Sequence, residues 1–116
     1  MGRLSREQIL SAPDIVEKEV DVPEWGGSVL VRTLTKAKQI ALRKQATVNG
    51  QLDDERLEVF VFIAGVIEPA FSPEDYDALK AKSSAAMDRV LMEIYRGSGI
   101  LKEEAGKIER AFPAGA

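Results

Sequence analysis

Apolar and polar residues alternate along the first third of the chain. In residues 16–22 every second residue is apolar except Lys18, and the residues between them are acidic. A second alternating run covers 28–34, and the connecting residues 23–27 contain a proline and two glycines. A period of two is typical of strands with one buried face, and a proline–glycine segment favours a tight reversal. The pattern therefore predicts a β-hairpin over about 16–34.

Beyond the hairpin the apolar spacing becomes that of helices, and a capping residue precedes each segment. A side-chain oxygen at the N-cap accepts a hydrogen bond from the first turn, and the candidates here are Thr35, Asp53, Ser72 and Ser83 or Ser84. The predicted helices are 36–47, 54–67, 73–81, 84–96 and 101–111.

These helices differ in how clearly their apolar faces are marked. The clearest stripe lies in 84–96 and comprises Met87, Val90, Leu91, Ile94 and Tyr95. The stripe in 36–47 is thin and comprises Ala37, Ile40, Ala41 and Lys44. Asn49-Gly50 is suited to a left-handed cap that ends this helix.

The run from Leu57 to Ile67 fits two structures. Its β-branched and aromatic residues favour a strand, whereas its length and the upstream cap favour a buried helix. We predict a helix over 54–67 that is apolar nearly all round and therefore central.

The remaining segments are the two ends of the chain. Ser5 and Gln8 have capping-box spacing, which predicts a weak helix over 6–11 within an N-terminal arm, 1–15. A loose tail is expected over 113–116. Together these elements predict one α+β domain, 1–116, mostly α, with the hairpin packed on a bundle of about four helices.

Composition narrows the classes of function. The chain has 116 residues and a mass of 12.7 kDa, with no cysteine and no histidine. Disulfides, thiolate catalysis, the usual catalytic triads and nearly all zinc sites are thereby excluded. The longest apolar run is far shorter than the roughly 20 residues of a membrane helix, and the N-terminus lacks the apolar core of a secretion signal. We therefore expect a small soluble intracellular domain that is not an enzyme and uses no cofactor or metal.

Charge is distributed unevenly along the chain. The formal net charge is -3, yet residues 28–50 carry five basic residues and no acidic one. One interpretation is a basic helix that lies against acidic neighbours of the same fold. The other is a basic face for an acidic partner, with nucleic acid as one possibility.

Five residues are candidates for partner contacts. Trp25 either locks the glycine turn onto the core or remains exposed as an interface anchor. Arg32 is expected to lie across from an acidic residue of the first strand. Met92, with Leu101 and Ile108, either forms an adaptable apolar patch or is simply exposed while the other two complete the core.

A resemblance to a known family rests on several blocks of sequence. Residues 20–35, V-D-V-P-E-W-G-G-S-V-L-V-R-T-L-T, carry the specific motif, and shorter similarities occur at 71–75 (F-S-P-E-D), 82–90 (K-S-S-A-A-M-D-R-V) and 4–10 (L-S-R-E-Q-I-L). The chain resembles, over almost its whole length, the tail assembly chaperones of long-tailed, siphovirus-type bacteriophages and prophages. It departs from them at Lys38, where the family usually has an acid, so the helix cap here is weaker and more basic.

The resemblance implies a non-enzymatic role in virion morphogenesis. Such chaperones bind the tape measure protein, keep it soluble and help to bring tail tube subunits to it, in many relatives through a frameshifted longer product. They act in the host bacterial cytoplasm and are absent from the mature virion. We expect no nucleic acid and no membrane partner, and self-association is compatible with the role. We expect the groove for tape measure helices in 84–112.

The alternative function is a nucleic-acid-associated accessory protein that uses the basic segment 28–50. The negative net charge of the whole chain disfavours it.

Overall fold

The computed structural model describes residues 2–99 of the chain. Its elements in chain order are helix α1 (Arg6–Ser11), strands β1 (Glu17–Val22) and β2 (Gly27–Arg32), helix α2 (Lys36–Gln45), strands β3 (Thr47–Val48) and β4 (Gln51–Leu52), helix α3 (Asp54–Gly65), strand β5 (Val66–Glu68), and helices α4 (Tyr76–Lys80) and α5 (Ser84–Ser98). The α+β class, mostly helical with an N-terminal hairpin, is confirmed. The predicted helix 101–111 and tail 113–116 lie outside the described residues.

The hairpin forms two strands of a three-stranded antiparallel sheet with the order β1-β2-β5. β1 pairs with β2 from Glu17 opposite Arg32 to Val22 opposite Gly27. The reversal is a 3-10 turn, Pro23–Trp25, followed by Gly26 at a left-handed φ of 74°. Alternate valines of both strands are buried, so one face of the sheet lies on the helices: Val20, Val22, Val29 and Val31.

Local capping explains where the helices begin. The backbone amide of Lys38 donates to Thr35 Oγ1 at 3.1 Å, and that of Arg56 donates to Asp53 Oδ1 at 3.1 Å. Ser83 caps α5 in the same way. The segment after Ser72 begins as a 3-10 turn, Pro73–Asp75, before it becomes α4. The predicted N-caps Thr35, Asp53 and Ser83 are confirmed, because each needs only its own first turn as a partner. Ser72 caps the 3-10 turn instead of an α-helix, and the predicted helix 73–81 is α-helical only over Tyr76–Lys80, with Asp75 at its N-cap.

The core is built around α5, whose predicted stripe is buried in full. Ile94 is fully buried and lies against Gly65, the last residue of α3. A Cβ at position 65 would lie 2.5 Å from Ile94 Cδ1 and 2.9 Å from Ile94 Cγ1. Glycine at this position therefore permits the close approach of α3 and α5.

The predicted extent of the central helix, 54–67, is wrong at its end. α3 ends at Gly65, and Val66–Glu68 forms β5, in which Val66 pairs with Val31 of β2. Val66 and Ile67 have high β propensity, and pairing with β2 satisfies backbone groups that one more helical turn would otherwise satisfy.

The end of the preceding helix also differs from the prediction of 36–47. α2 ends at Gln45, and β3 and β4 form a short second hairpin. Asn49 and Gly50, which we expected to cap the helix, are its two turn residues, with φ values of 53° and 78°. Two consecutive left-handed residues match the twist of a two-residue hairpin, and Asn-Gly is the preferred pair.

The stripe expected on α2 lies on its outer side. Leu42, together with Ala46 at the C-cap, is buried. Ala37, Ile40, Ala41 and Lys44 are exposed instead. Leu42 and Ala46 are four residues apart and therefore share a face, and that face packs towards α3.

We expect Gly65→Ala to destabilise the fold by about 1–3 kcal/mol, the usual cost of overpacking a dense core. Urea unfolding measures this difference. Gly27→Ala is the matched control, because a Cβ there has no atom within 4 Å. An Ile94→Val change should recover part of the loss in the double variant, since it removes the closest atom. Equal stability of Gly65→Ala and the parent would contradict the proposed close contact.

Asp88 provides a prediction about pH. It is a half-buried residue of α5, and its Oδ2 atom is buried without a hydrogen-bond partner in the described part of the chain. Burial raises the pKa of this carboxyl. The folded state therefore binds the proton more tightly than the unfolded state, and this contribution to stability is lost as pH rises through the raised pKa.

We expect Asp88→Asn to raise the melting temperature by a few degrees at pH 7, because it removes a charge that burial penalises. The difference from the parent should shrink as pH falls and the parent's carboxyl becomes protonated. Thermal melts followed by circular dichroism at several pH values test both statements. A gain that is independent of pH would show that the charge is not its cause.

Candidate partner-binding surface

Trp25 is held against the core by an aromatic contact. It is half-buried, and its ring lies 6.2 Å from that of Phe62 in an edge-on arrangement with an interplanar angle of 86°. Phe62 is fully buried in α3. Of the two interpretations of Trp25, this burial and this contact favour the one in which the ring locks the turn onto the core, and the ring fixes the hairpin turn on α3.

An ion pair fixes the same turn on α5. Arg89 Nε donates to Glu24 Oε1 at 3.2 Å, and Arg89 Nη2 donates to Glu24 Oε2 at 2.9 Å. The hydrogen bond from Arg89 lowers the pKa of Glu24, and the same bond raises the pKa of Arg89. The motif blocks 20–35 and 82–90 are thus in direct contact, and these side chains serve to join the hairpin to the helices.

Arg32 lies where its sequence context predicts. It is the register partner of Glu17, and its Nη2 atom lies 2.6 Å from Glu17 Oε2. The cross-strand pair is confirmed. Both side chains are about half exposed, so water screens the pair and its contribution to stability is small.

Met92 is half-buried and packs against the hydrophobic core. Leu101 and Ile108 lie outside the described residues, so the patch expected from these three residues stays a prediction. The same applies to the part of the 84–112 groove that follows Gly99.

The N-terminal arm presents apolar side chains that the sequence reasoning did not single out. Ser5 and Gln8 form the expected capping box on α1. Every residue of this helix is exposed, and Leu4, Ile9 and Leu10 are 68%, 57% and 68% exposed. Leu4 precedes the N-cap and Ile9 is the fourth helical residue, which is the spacing of a hydrophobic staple. This pair was the sequence signal for a helix start here. Most of the surface of both side chains is in solvent.

The arm leads into an open cleft at the free end of the hairpin. The Val16 amide donates to Thr33 Oγ1 at 3.0 Å, and the Thr33 amide donates to the Val16 carbonyl at 2.9 Å. The cleft has a volume of about 450 Å³ between the hairpin and the C-terminal half of α5. It is lined by Val16, Lys18, Val31, Thr33, Glu93, Ile94, Arg96 and Gly97.

The cleft has an apolar interior and a charged rim. Val16, which is 55% exposed, supplies an accessible aliphatic side chain, and the buried Val31 and Ile94 lie beneath it in the lining. At the rim Lys18 Nζ lies 2.6 Å from Glu93 Oε2, and Arg96 Nη1 lies 3.8 Å from Glu93 Oε1. Such a site suits an aliphatic side chain whose neighbours are polar. We define the arm–cleft surface as Leu4, Ile9, Leu10 and this cleft.

Comparisons with known proteins give no family for this chain, so the functional argument depends on its residues. No protein-family model, curated protein or solved structure matches the chain. Within residues 2–99 no group of three or more acidic side chains is arranged to hold a metal ion. No helix of the same region has the length and hydropathy needed to cross a membrane.

We expect Trp25→Ala to destabilise the protein by about 3 kcal/mol, at the lower end for a core aromatic because the ring keeps some exposure. Trp25→Phe is the control that retains a ring facing Phe62 and should lose less. Urea unfolding measures the change. If Trp25→Ala unfolds like the parent but no longer binds its partner, Trp25 is an interface anchor and the structural interpretation is wrong.

Proposed function

We propose that the protein is a phage tail assembly chaperone that binds the tape measure protein and keeps it soluble. It also helps to recruit tail tube subunits. It acts in the host bacterial cytoplasm and is absent from the mature virion. The resemblance of the motif blocks supports this role, and it is a binding role without catalysis.

The observation that carries the proposal is the arm–cleft surface. A chaperone of a long helical protein needs apolar surface that accepts many similar amphipathic segments. Leu4, Ile9 and Leu10 supply exposed aliphatic groups on an arm outside the core. The cleft at the open end of the hairpin, where Val16 supplies an exposed aliphatic side chain, has a volume of about 450 Å³ and a charged rim.

The chemistry of this surface favours weak and reversible contacts. Aliphatic side chains change rotamer readily, and a few of them bury little area compared with a permanent interface. The rim charges Lys18, Glu93 and Arg96 can pair with polar residues that flank the apolar stripe of a helix. Such a surface tolerates sequence variation along a partner, as a tape measure protein requires.

We expect Leu10→Glu combined with Val16→Glu to leave co-expressed helical tape measure fragments insoluble, whereas the parent keeps them in solution. Both residues are exposed, at 68% and 55%, so the fold should persist. Leu52→Glu is the matched control, an exposed leucine on β4. The soluble fraction of the fragments after centrifugation is the measurement, and circular dichroism verifies folding of each variant.

The possible results distinguish an error in the proposed binding site from an error in the proposed function. If the parent itself does not solubilise tape measure fragments, the proposed function is wrong. If the double variant solubilises them as well as the parent, the arm–cleft surface is not the contact. The sequence-based groove in 84–112 is then tested by Met92→Glu with Ile108→Glu.

The nucleic-acid alternative rests on the basic segment 28–50. Within the described chain, Arg32 is already paired with Glu17. The large apolar residues that are exposed there are all aliphatic, so they offer no stacking platform for bases. A gel shift at low and moderate salt tests this alternative, which predicts binding that falls steeply as salt rises.

A further inference from the structure

Helix α2 has apolar residues on two opposite sides. Leu42, with Ala46, faces the core. The outer side presents Ala37, Ile40, Ala41 and Lys44, spaced at i, i+3, i+4 and i+7, and Ile40 is 47% exposed. This spacing forms one continuous stripe along a helix of 10 residues. We call these four residues, with the flanking Lys36 and Lys38, the α2 outer face.

The charges of the α2 outer face are all positive. Lys36 Nζ donates to Gln39 Oε1 at 3.0 Å, which leaves its charge uncompensated. Within residues 2–99 neither Lys38 nor Lys44 forms an ion pair with an acidic side chain. The stretch 28–50 contains no acidic residue, in a chain of net charge -3. The face is therefore a positive region on an otherwise acidic protein.

Two of these cations are unfavourable for the helix that carries them. The first turn of α2 contains Lys36 and Lys38 and no acidic residue. The positive end of the helix dipole repels cations in the first turn. Lys38 also occupies the third helical position after the Thr35 cap, where a glutamate would complete a capping box. These two lysines do not stabilise α2, so helix stability does not explain their presence in its first turn.

We propose that the α2 outer face binds an acidic amphipathic helix of a partner protein. The partner's apolar residues contact Ala37, Ile40 and Ala41, and acidic residues beside them pair with the lysines. The two alanines allow the helix axes to approach closely. The helix that carries this face has 10 residues and is about 15 Å long at 1.5 Å per residue, which matches a partner helix of about three turns.

The same observations disfavour two other occupants. A nucleic acid would use the lysines but leave the central apolar stripe without a counterpart. A second copy of this chain would offer the acidic residues of β1 or those of the first turn of α3, Asp54 and Glu55. The acidic side of β1 carries no apolar stripe to match, and the apolar residues that follow the acidic turn of α3 are mostly buried: Leu57, Val59, Val61 and Phe62. The inference does not rest on the proposed tape measure binding, which uses the arm–cleft surface.

The test uses a fluorescein-labelled synthetic helix of 14 residues with leucines at i, i+3, i+4 and i+7 and glutamates on both flanks. Its controls are a scrambled peptide of the same composition and a labelled 20-base-pair DNA. Fluorescence anisotropy at low and moderate salt measures affinity. The amphipathic peptide should bind more tightly than both controls, and added salt should weaken its binding.

Variants identify the surface that binds. Lys44→Glu and Ile40→Ser should each weaken peptide binding by about tenfold, because one reverses a contacting charge and the other removes the central apolar group. Lys82→Glu is the control for charge, an exposed lysine between α4 and α5. Lys38→Glu is the most informative change. It should weaken binding and raise the melting temperature by a few degrees, since it completes the capping box.

Each other result overturns the proposal. Equal binding of the scrambled peptide, or no effect of Lys44→Glu and Ile40→Ser, excludes a specific helix site on this face. Tighter binding of the DNA identifies nucleic acid as the occupant. A dimer in light scattering that Lys44→Glu dissociates identifies a second copy of the chain.

Discussion

The close contact between α3 and α5 at Gly65 organises the structure. Because position 65 has no side chain, the fully buried Ile94 of α5 fills the space beside the last turn of α3. The chain then continues directly from Gly65 into β5, and Val66 pairs with Val31 of β2. One residue thus sets the distance between two helices and the point where the helical layer joins the sheet.

The hairpin is fixed to this framework at its turn. Trp25 contacts Phe62 on α3, and Glu24 forms a two-atom pair with Arg89 on α5. The most distinctive part of the sequence is therefore occupied with joining elements of the fold. Surfaces that offer contacts to other molecules lie elsewhere, on the arm and cleft and on the outer side of α2.

These two surfaces differ in chemistry. The arm–cleft surface is aliphatic with a rim of paired charges, which suits many similar partners. The α2 outer face combines a narrow apolar stripe with cations that the helix itself does not favour, which suits a partner of opposite charge. The two proposed sites involve different residues, so substitutions in one can be made without changing the other.

The sequence alone determined the features that depend on neighbouring residues. Thr35, Asp53 and Ser83 cap helices, and the stripe of α5 is buried, because a cap or a helical face is specified within a few turns. The period-two runs likewise specified the hairpin and predicted that Arg32 pairs with an acidic residue of the first strand, which the structure identifies as Glu17.

Tertiary structure decided the features that needed a distant partner. α2 carries apolar residues on both sides, and packing against α3 selected Leu42 rather than Ile40 for the core. Val66–Glu68 has apolar residues compatible with helix or strand, and the free edge of β2 made it a strand. Trp25 was ambiguous for the same reason, since the position of Phe62 follows from how α3 packs and no local pattern encodes it.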